Sequence, residues 1–349
     1  MAQSFLRRFH YLGEDLPDLV EDIEMKIRCK VLGVGGCGSN SINRLKDMDV
    51  DNAELIAFNT DVQKLFEIHA DRKLLLGQDL LHGLSTGGSP YIGRKAARSA
   101  RKDIDNILKG TDVVFLVAGL GGGTGSGAAP EVAARARSMG AITIGLIVVP
   151  FSVSGRLHRR RAERALRQLR KDLDAMIVVP NDHLLEVTPS VPVNTAFRLV
   201  DDALRSVITG ISRGMTRSSL HELRKALGHC EVVLGLGRSN DIEEAVDLAV
   251  EWPLSEYGPT GDDPVLVMFD GGIDFDHQAA EKAMARMMDQ LGTGRHYYWA
   301  IDQGLKPRPS VGVTLMIPAT SIRKQEPHAL EDWLPAIDGV SLLRPEKAQ

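Results

Sequence analysis

Short apolar runs alternate with amphipathic stretches through the first half of the chain. Residues 30–34, 55–59, 113–118, 142–149 and 176–179 are each rich in Val, Ile or Leu, and each run stops at Gly, Pro, Asn or Asp, the profile of buried strands. Helix-length segments lie between them; one, over 162–173, places Ala162, Leu166, Leu169 and Leu173 on a single face. Continuous apolar strands alternating with helices predict an α/β domain, a doubly wound, Rossmann-like parallel sheet covered on both sides. This domain is assigned to residues 27–194, after an N-terminal extension over 1–26.

A long helix over 195–215 follows, with Phe197, Val200, Leu204, Val207 and Ile211 spaced as a buried stripe. Beyond it, residues 231–236, 265–269 and 311–317 read as strands. Residues 276–291 read as a helix with Ala280, Met284, Met287, Met288 and Leu291 turned inward. These elements predict a smaller C-terminal α+β domain over 216–322. The remainder, 323–349, mixes Pro and charge with two apolar clusters, Trp333-Leu334 and residues 340–343, and reads as a tail that is partly ordered at best.

Composition narrows the class. The 349 residues are 43% hydrophobic and 25% charged, enough to bury real cores. The formal net charge of -4 gives no general attraction to nucleic acid or to an anionic membrane, so such a partner would need a local patch. Cys29, Cys37 and Cys230 form no metal-ligand spacing and leave one thiol over in any disulfide scheme, which favours a cytoplasmic setting. No signal peptide is expected, and the longest apolar run, over 141–151, is too short to cross a bilayer.

The chemistry gathers at the carboxyl ends of the early strands, where open α/β sheets bind ligands. The first strand ends in "GVGGCGSN", which contains Gly33-x-Gly35-x-x-Gly38, formally a dinucleotide fingerprint with Asp61 placed for a ribose contact. A denser loop, "GLGGGTGSGAAPEV", stands after another strand and before a helix. Two such turns can surround a polyphosphate with amide N–H groups and helix N-termini, with Thr124 and Ser126 adding hydroxyls. A third polar loop over 85–90 is placed to close the same site. A P-loop is excluded, because neither glycine loop contains Gly-Lys-Ser or Gly-Lys-Thr. Any one loop alone is equally well explained as a tight turn; the three together are not.

The set "GVGGCGSNSINRL", "AFNTDVQKL", "GGSPYIGRKAA", "VAGLGGGTGSGAAPEVA" and "VVPND" resembles the cell-division GTPase FtsZ of the tubulin superfamily, over about residues 27–317. The resemblance implies a GTP-binding domain, a long central helix and a C-terminal α+β domain. It implies GTP or GDP as ligand, Mg2+ as a further expectation, and no metal site built from protein groups. Gly36, Cys37, Gly38, Ser39 and Asn40 match the first nucleotide loop, with Asn40 near the base. Thr60 and Asp61 match the second loop, Gly87 and Gly88 the third. Gly121, Gly122, Gly123, Thr124, Gly125 and Ser126 match the phosphate cradle, while Asn181, Phe197 and Asp201 match residues that hold the guanine. The implied partner is a second copy in a head-to-tail filament, or a conventional FtsZ-like subunit, with no nucleic acid and no direct membrane insertion.

Two departures bear on activity. Where the family has Phe-x-Glu-Gly followed by a basic residue, the chain has Phe151 to Gly155, so that the ribose-binding glutamate is Ser154 and the usual arginine is His158, with Arg159 close by. The adjoining "RRRAERALRQLRK" is strongly basic, and reads as a solvated helix face or as a partner or filament contact. After the central helix the family carries Asn-x-Asp-x-x-Asp, whose carboxylates polarise water across the subunit interface. This chain reads "GISRGMTRSSLHELRKALG", several residues shorter, with no Asp between Asp202 and Asp241 and Glu222 as the sole nearby carboxylate. Glu222 reads as an ordinary residue after a Ser218 or Ser219 cap, so GTP is expected to be hydrolysed slowly or not at all.

Three classes follow: a nucleotide-dependent filament protein, a non-polymerising GTP-binding regulator or scaffold, and a nicotinamide-dependent enzyme resting on the single Gly33-x-Gly35-x-x-Gly38 match. The tail "DGVSLLRPEKAQ" does not match the family's recruiting peptide for membrane adaptors.

Overall fold

The computed structural model describes residues 27–324, apart from 49, 51, 188–191, 216, 229, 251–256, 260–263, 305–306, 309 and 320–321. The N-terminal extension and almost all of the tail assigned from the sequence lie outside the described residues. Strands β1 (Cys29–Val34), β2 (Ala53–Asn59), β3 (Arg72–Leu75), β4 (Val113–Gly119), β5 (Ile142–Val149) and β6 (Ala175–Pro180) run parallel in the order 3-2-1-4-5-6. That order reverses direction between β1 and β4, the point at which doubly wound sheets open a crevice for ligands. The α/β expectation is met.

The sheet continues into the C-terminal half. β7 (Cys230–Ser239) pairs in parallel with the start of β6, and antiparallel with β11 (Val311–Ala319); β11 pairs antiparallel with β9 (Val265–Gly271), which carries β10 (Tyr297–Gln303) on its edge. A small pair, β8 (Tyr257–Pro259) with β12 (Ile322–Lys324), stands apart. The strands anticipated at 231–236, 265–269 and 311–317 all form.

Helices cover both faces because every strand from β1 to β6 except β3 is buried on both sides. One face holds α1 (Gly35–Asp47), α2 (Val62–Glu67) and, further on, α8 (Asn181–Val187), α9 (Val193–Gly214) and α10 (Leu220–Leu227), while a short α3 (Gln78–Leu81) turns its Leu81 to the opposite face. Ile42 and Leu45 of α1 join Leu199, Val207 and Ile211 of α9 in one core. The other face holds α4 (Pro90–Ser99), α5 (Arg101–Leu108), α6 (Gly123–Ser138) and α7 (Arg156–Asp172), whose Ala97, Ile104, Val132 and Leu169 form a second core. A third core, under α11 (Ile242–Val250) and α12 (His277–Leu291), belongs to the C-terminal strands.

Some elements depart from the pattern expected of the sequence. β3 and β10 were not anticipated: both are sheet edges with mixed exposure, so neither carries an unbroken apolar run. Helix α7 starts at Arg156, ahead of the first buried position at Ala162, because its first turns lie in water and need no buried face.

Candidate functional site

The carboxyl ends of β1 and β4 meet backbone to backbone. A methyl group added at Gly35 would stand 2.9 Å from the amide nitrogen of Gly125, and one at Gly125 would stand 2.1 Å from the carbonyl oxygen of Gly119. Such contacts admit glycine alone. The φ of Gly35 is +75°, so its backbone also sits where other residues are strained. The loop over 85–90 closes on the same point: a methyl at Gly123 would meet the Thr86 Oγ1 at 2.1 Å and the Ser89 nitrogen at 2.7 Å. The second loop joins through a hydroxyl contact, Thr60 Oγ1 to Thr124 Oγ1 at 2.9 Å.

Other glycines in these loops are bare for a different reason. A methyl at Gly36, Gly87 or Gly122 would meet nothing within 4 Å. These three border open space, while Gly35, Gly123 and Gly125 are locked against neighbouring backbone. Amide N–H groups at the starts of α1 and α6 thus flank one opening, the donor arrangement that anions take at helix N-termini.

The remaining expected residues distribute as follows. Gly38 is packed under β1 and β4, 2.3 Å from the Val117 carbonyl oxygen at the position of an added methyl. The Cys37 side chain folds down beneath Gly119, and burial pushes its thiol up to about 11, with Arg44 opposing and Asp201 adding to the rise. Cys37 therefore offers its backbone rather than a thiolate. Asn40 is exposed on α1. Asp61 caps α2, accepting from the backbone N–H groups of Gln63 and Lys64 at 3.1 and 3.2 Å. The Ser126 hydroxyl is buried and accepts the Gly121 N–H at 2.8 Å, which fixes the loop from below.

Gly88, with φ +75°, lies beside the Arg161 guanidinium. The His158 backbone packs on Gly121, whose φ is +97°, and Ser154 is exposed in the short turn before α7. That turn is tied to the start of α8 by Asp182, which accepts the Ser152 N–H at 2.8 Å. Phe197 and Asp201 lie on one face of α9, and Arg44 from α1 bridges them: its guanidinium pairs with the Asp201 carboxylate and stands 5.8 Å from the Phe197 ring centre. Burial pushes the Asp201 carboxyl up to about 6, although Arg44 and Ser41 pull it back.

Three buried polar atoms at this end of the sheet have no hydrogen-bond partner: Ser39 Oγ, Asn59 Nδ2 and Asn181 Oδ1. Native interiors leave few such atoms unpaired. A ligand with both donors and acceptors, placed over α1, the end of β2 and the start of α8, fits them. Asn59 and Arg44 were not singled out from the sequence, and Thr86 was read only as part of the polar loop over 85–90. Asn59 had a usable signal, because it ends an apolar run immediately before Thr60-Asp61; Arg44 had another, being four residues and one turn after Asn40.

The opposite, amino-terminal end of the strands carries the segment after α9. Arg217 donates to Asp112 at 2.8 Å, just before β4, and Arg224 donates to the Gly140 carbonyl at 2.7 Å, just before β5. Arg213 reaches Asp302 of β10 at 2.7 Å. Glu222 is exposed in the first turn of α10, far from the glycine loops. Among the described residues no group of three His, Cys, Asp or Glu is placed to hold a metal ion.

The model of the Tubulin/FtsZ family GTPase domain matches residues 28–189. Cell division protein FtsZ 1 of Thermococcus kodakarensis is 35% identical over 319 residues, covering 89% of this chain and 85% of its own. The chain belongs to the FtsZ family. Cell division protein FtsZ 1 of Archaeoglobus fulgidus is 37% identical over 297 residues, with 82% of this chain and 81% of its own covered. Among solved structures, the empty FtsZ dimer of M. jannaschii superposes with a TM-score of 0.79 at 28% identity, covering 95% of this chain and 100% of that one. Membership places the chain among cytoskeletal GTPases, a family that binds GTP and GDP, as the resemblance in the motifs implied.

Proposed function

We propose that the chain binds GTP or GDP in the glycine cradle, with the phosphates on the amides of Gly36, Gly122 and their neighbours and the base at Asn181, Phe197 and Asp201. The observation carrying this reading is the packing of Gly35 on Gly125 at the switch point, which leaves Gly36 and Gly122 bare toward open space. The unpartnered atoms of Ser39, Asn59 and Asn181 support it, since a nucleotide supplies matching donors and acceptors. A carboxylate at Asp201 suits guanine because it accepts from both the ring N–H and the exocyclic amine. Any Mg2+ would be held by phosphate oxygens and water beside Thr60, Asp61 and Thr124 rather than by a protein cage. Residues 27–194 then form the nucleotide unit, 195–215 the linking helix and 216–322 the C-terminal unit, working in the cytoplasm.

On the same reading the chain stacks head to tail and turns GTP over slowly. Orienting an attacking water needs a positioned polar group. The end of the molecule that would supply it presents Arg213, Arg217 and Arg224, each occupied within its own subunit, and the exposed Glu222. That occupancy favours a second reading, in which the chain caps or co-assembles with a conventional FtsZ. One preparation decides between them. Tight GTP binding with turnover far below that of a conventional FtsZ, unchanged in Glu222→Gln, is expected. Light scattering with GTP, alone and with a conventional FtsZ, separates self-assembly from co-assembly. Failure to bind guanine nucleotide, or brisk turnover abolished by Glu222→Gln, overturns the proposal.

A further inference from the structure

Helix α7 carries a line of charge that the nucleotide site does not use. Arg156, Arg160, Arg164, Arg167 and Lys171 recur at intervals of four, four, three and four, which on a helix confines them to an arc of about 80°. The buried Ala162, Ala165 and Leu169 lie opposite, against the sheet, so the five cations point straight out of the molecule. All five are exposed, and none forms an ion pair with a carboxylate of the described residues. Other exposed arginines of this protein are matched, such as Arg98 with Glu131 and Arg286 with Asp247. Here the cations line a stripe about 22 Å long without such partners. At its leading end two apolar side chains stand in water, Val153 at 89% and Leu157 at 59% exposure.

We infer that this face docks the protein on an anionic lipid surface. A flat, linear array of cations suits a plane of phosphate headgroups, and Val153 and Leu157 suit the boundary between headgroups and acyl chains, where amphipathic elements place their apolar residues. A nucleic acid would use the cations but leave the apolar pair in water, and the helix has no Phe, Tyr or Trp on which bases could stack. The binding is peripheral, since no helix among the described residues is long and apolar enough to cross a membrane. It supplies the local patch without which a chain of net charge -4 has no attraction for such a surface.

The test is sedimentation of the full chain with phosphatidylcholine vesicles, with and without about one third phosphatidylglycerol. Association with the anionic vesicles alone is expected, lost at high salt. The triple variant R160A/R164A/R167A should weaken it on the order of a hundredfold, with the melting temperature kept because all three side chains lie in solvent. Glu163→Lys, which extends the stripe, should tighten it several-fold, and V153S/L157S should weaken lipid association without changing retention on duplex DNA. Equal binding to neutral vesicles, no binding to anionic ones, a folded triple variant that binds like the parent, or duplex DNA outcompeting vesicles at equal phosphate would each overturn the inference.

Discussion

Arg44 of α1 pairs with the buried carboxylate of Asp201 on α9 while its guanidinium lies against Phe197. The pair joins α1 to α9, and on the proposed reading it occupies the place expected for the base. A carboxylate has lone pairs for more than one donor, so a guanine can share Asp201 with Arg44 or displace it. Removing the arginine leaves a buried charge unpaired. Arg44→Ala should therefore destabilise the free protein by about 3 kcal/mol, and saturating GTP should restore more of the melting temperature to the variant than it adds to the parent. Thermal denaturation with and without GTP reads both effects.

The raised pKa of Asp201 sets a pH dependence whose sign is fixed. The folded carboxyl titrates at about 6 because burial disfavours its charge, above the ordinary value of about 3.9. Between those values the folded state holds the extra proton, so this group's contribution to stability falls as pH rises from about 4 to 6 and is level above. Guanine needs the ionised form. Affinity for a fluorescent GTP analogue should be flat from pH 8 to 6.5, then fall by about tenfold per pH unit below 6. In Asp201→Asn the affinity should be weaker throughout and independent of pH, with the acid-side slope in stability reduced.

The glycines of the cradle divide into two kinds that substitution can tell apart. Gly125→Ala forces a methyl to within 2.1 Å of the Gly119 carbonyl oxygen, so it should cost about 1–3 kcal/mol of stability and lower the melting temperature. Gly122→Ala meets no protein atom within 4 Å and has φ of -78°, which alanine adopts freely. It should melt like the parent yet bind GTP at least roughly tenfold more weakly, since the methyl enters the space left for phosphate. Equal GTP affinity in Gly122→Ala and the parent would place the ligand elsewhere.

Much of this was legible in the sequence, and the reason is the same in each case. Strands buried on both faces show as unbroken apolar runs, which is why β1, β2, β4, β5 and β6 could be read directly. The meeting of the glycine loops could be read because backbone contact demands glycine, so Gly35, Gly123 and Gly125 leave a mark that no side chain can imitate. Pairings between distant side chains leave no such mark. Arg44 is one arginine among many until α1 and α9 are packed together, and Thr86 gains its role only when α4 brings its loop under Gly123. β3 and β10 escaped because an edge strand needs one partner and part of a core, a demand that mixed sequences such as "YYWAIDQ" satisfy without alternation.

The segment after α9 is tied to the start of β4 by Arg217 and Asp112. Asp112 is partly buried, which alone would raise its carboxyl, but the backbone N–H of Arg28 and the Arg217 guanidinium outweigh burial and hold it below the ordinary range. A depressed folded pKa means stability that is present at neutral pH and lost as pH falls through the folded value. Arg217→Ala should thus cost about 1 kcal/mol, lower the melting temperature by roughly 2–4 °C and shrink the loss of stability on acidification. Because Arg217 sits at the amino-terminal end of the strands and the cradle at the carboxyl end, about 20 Å away along β4, GTP affinity should not change. Turnover should stay low as well, since freeing the segment exposes no carboxylate. Faster hydrolysis in Arg217→Ala would show that the tether, rather than the missing acids, restrains the chemistry.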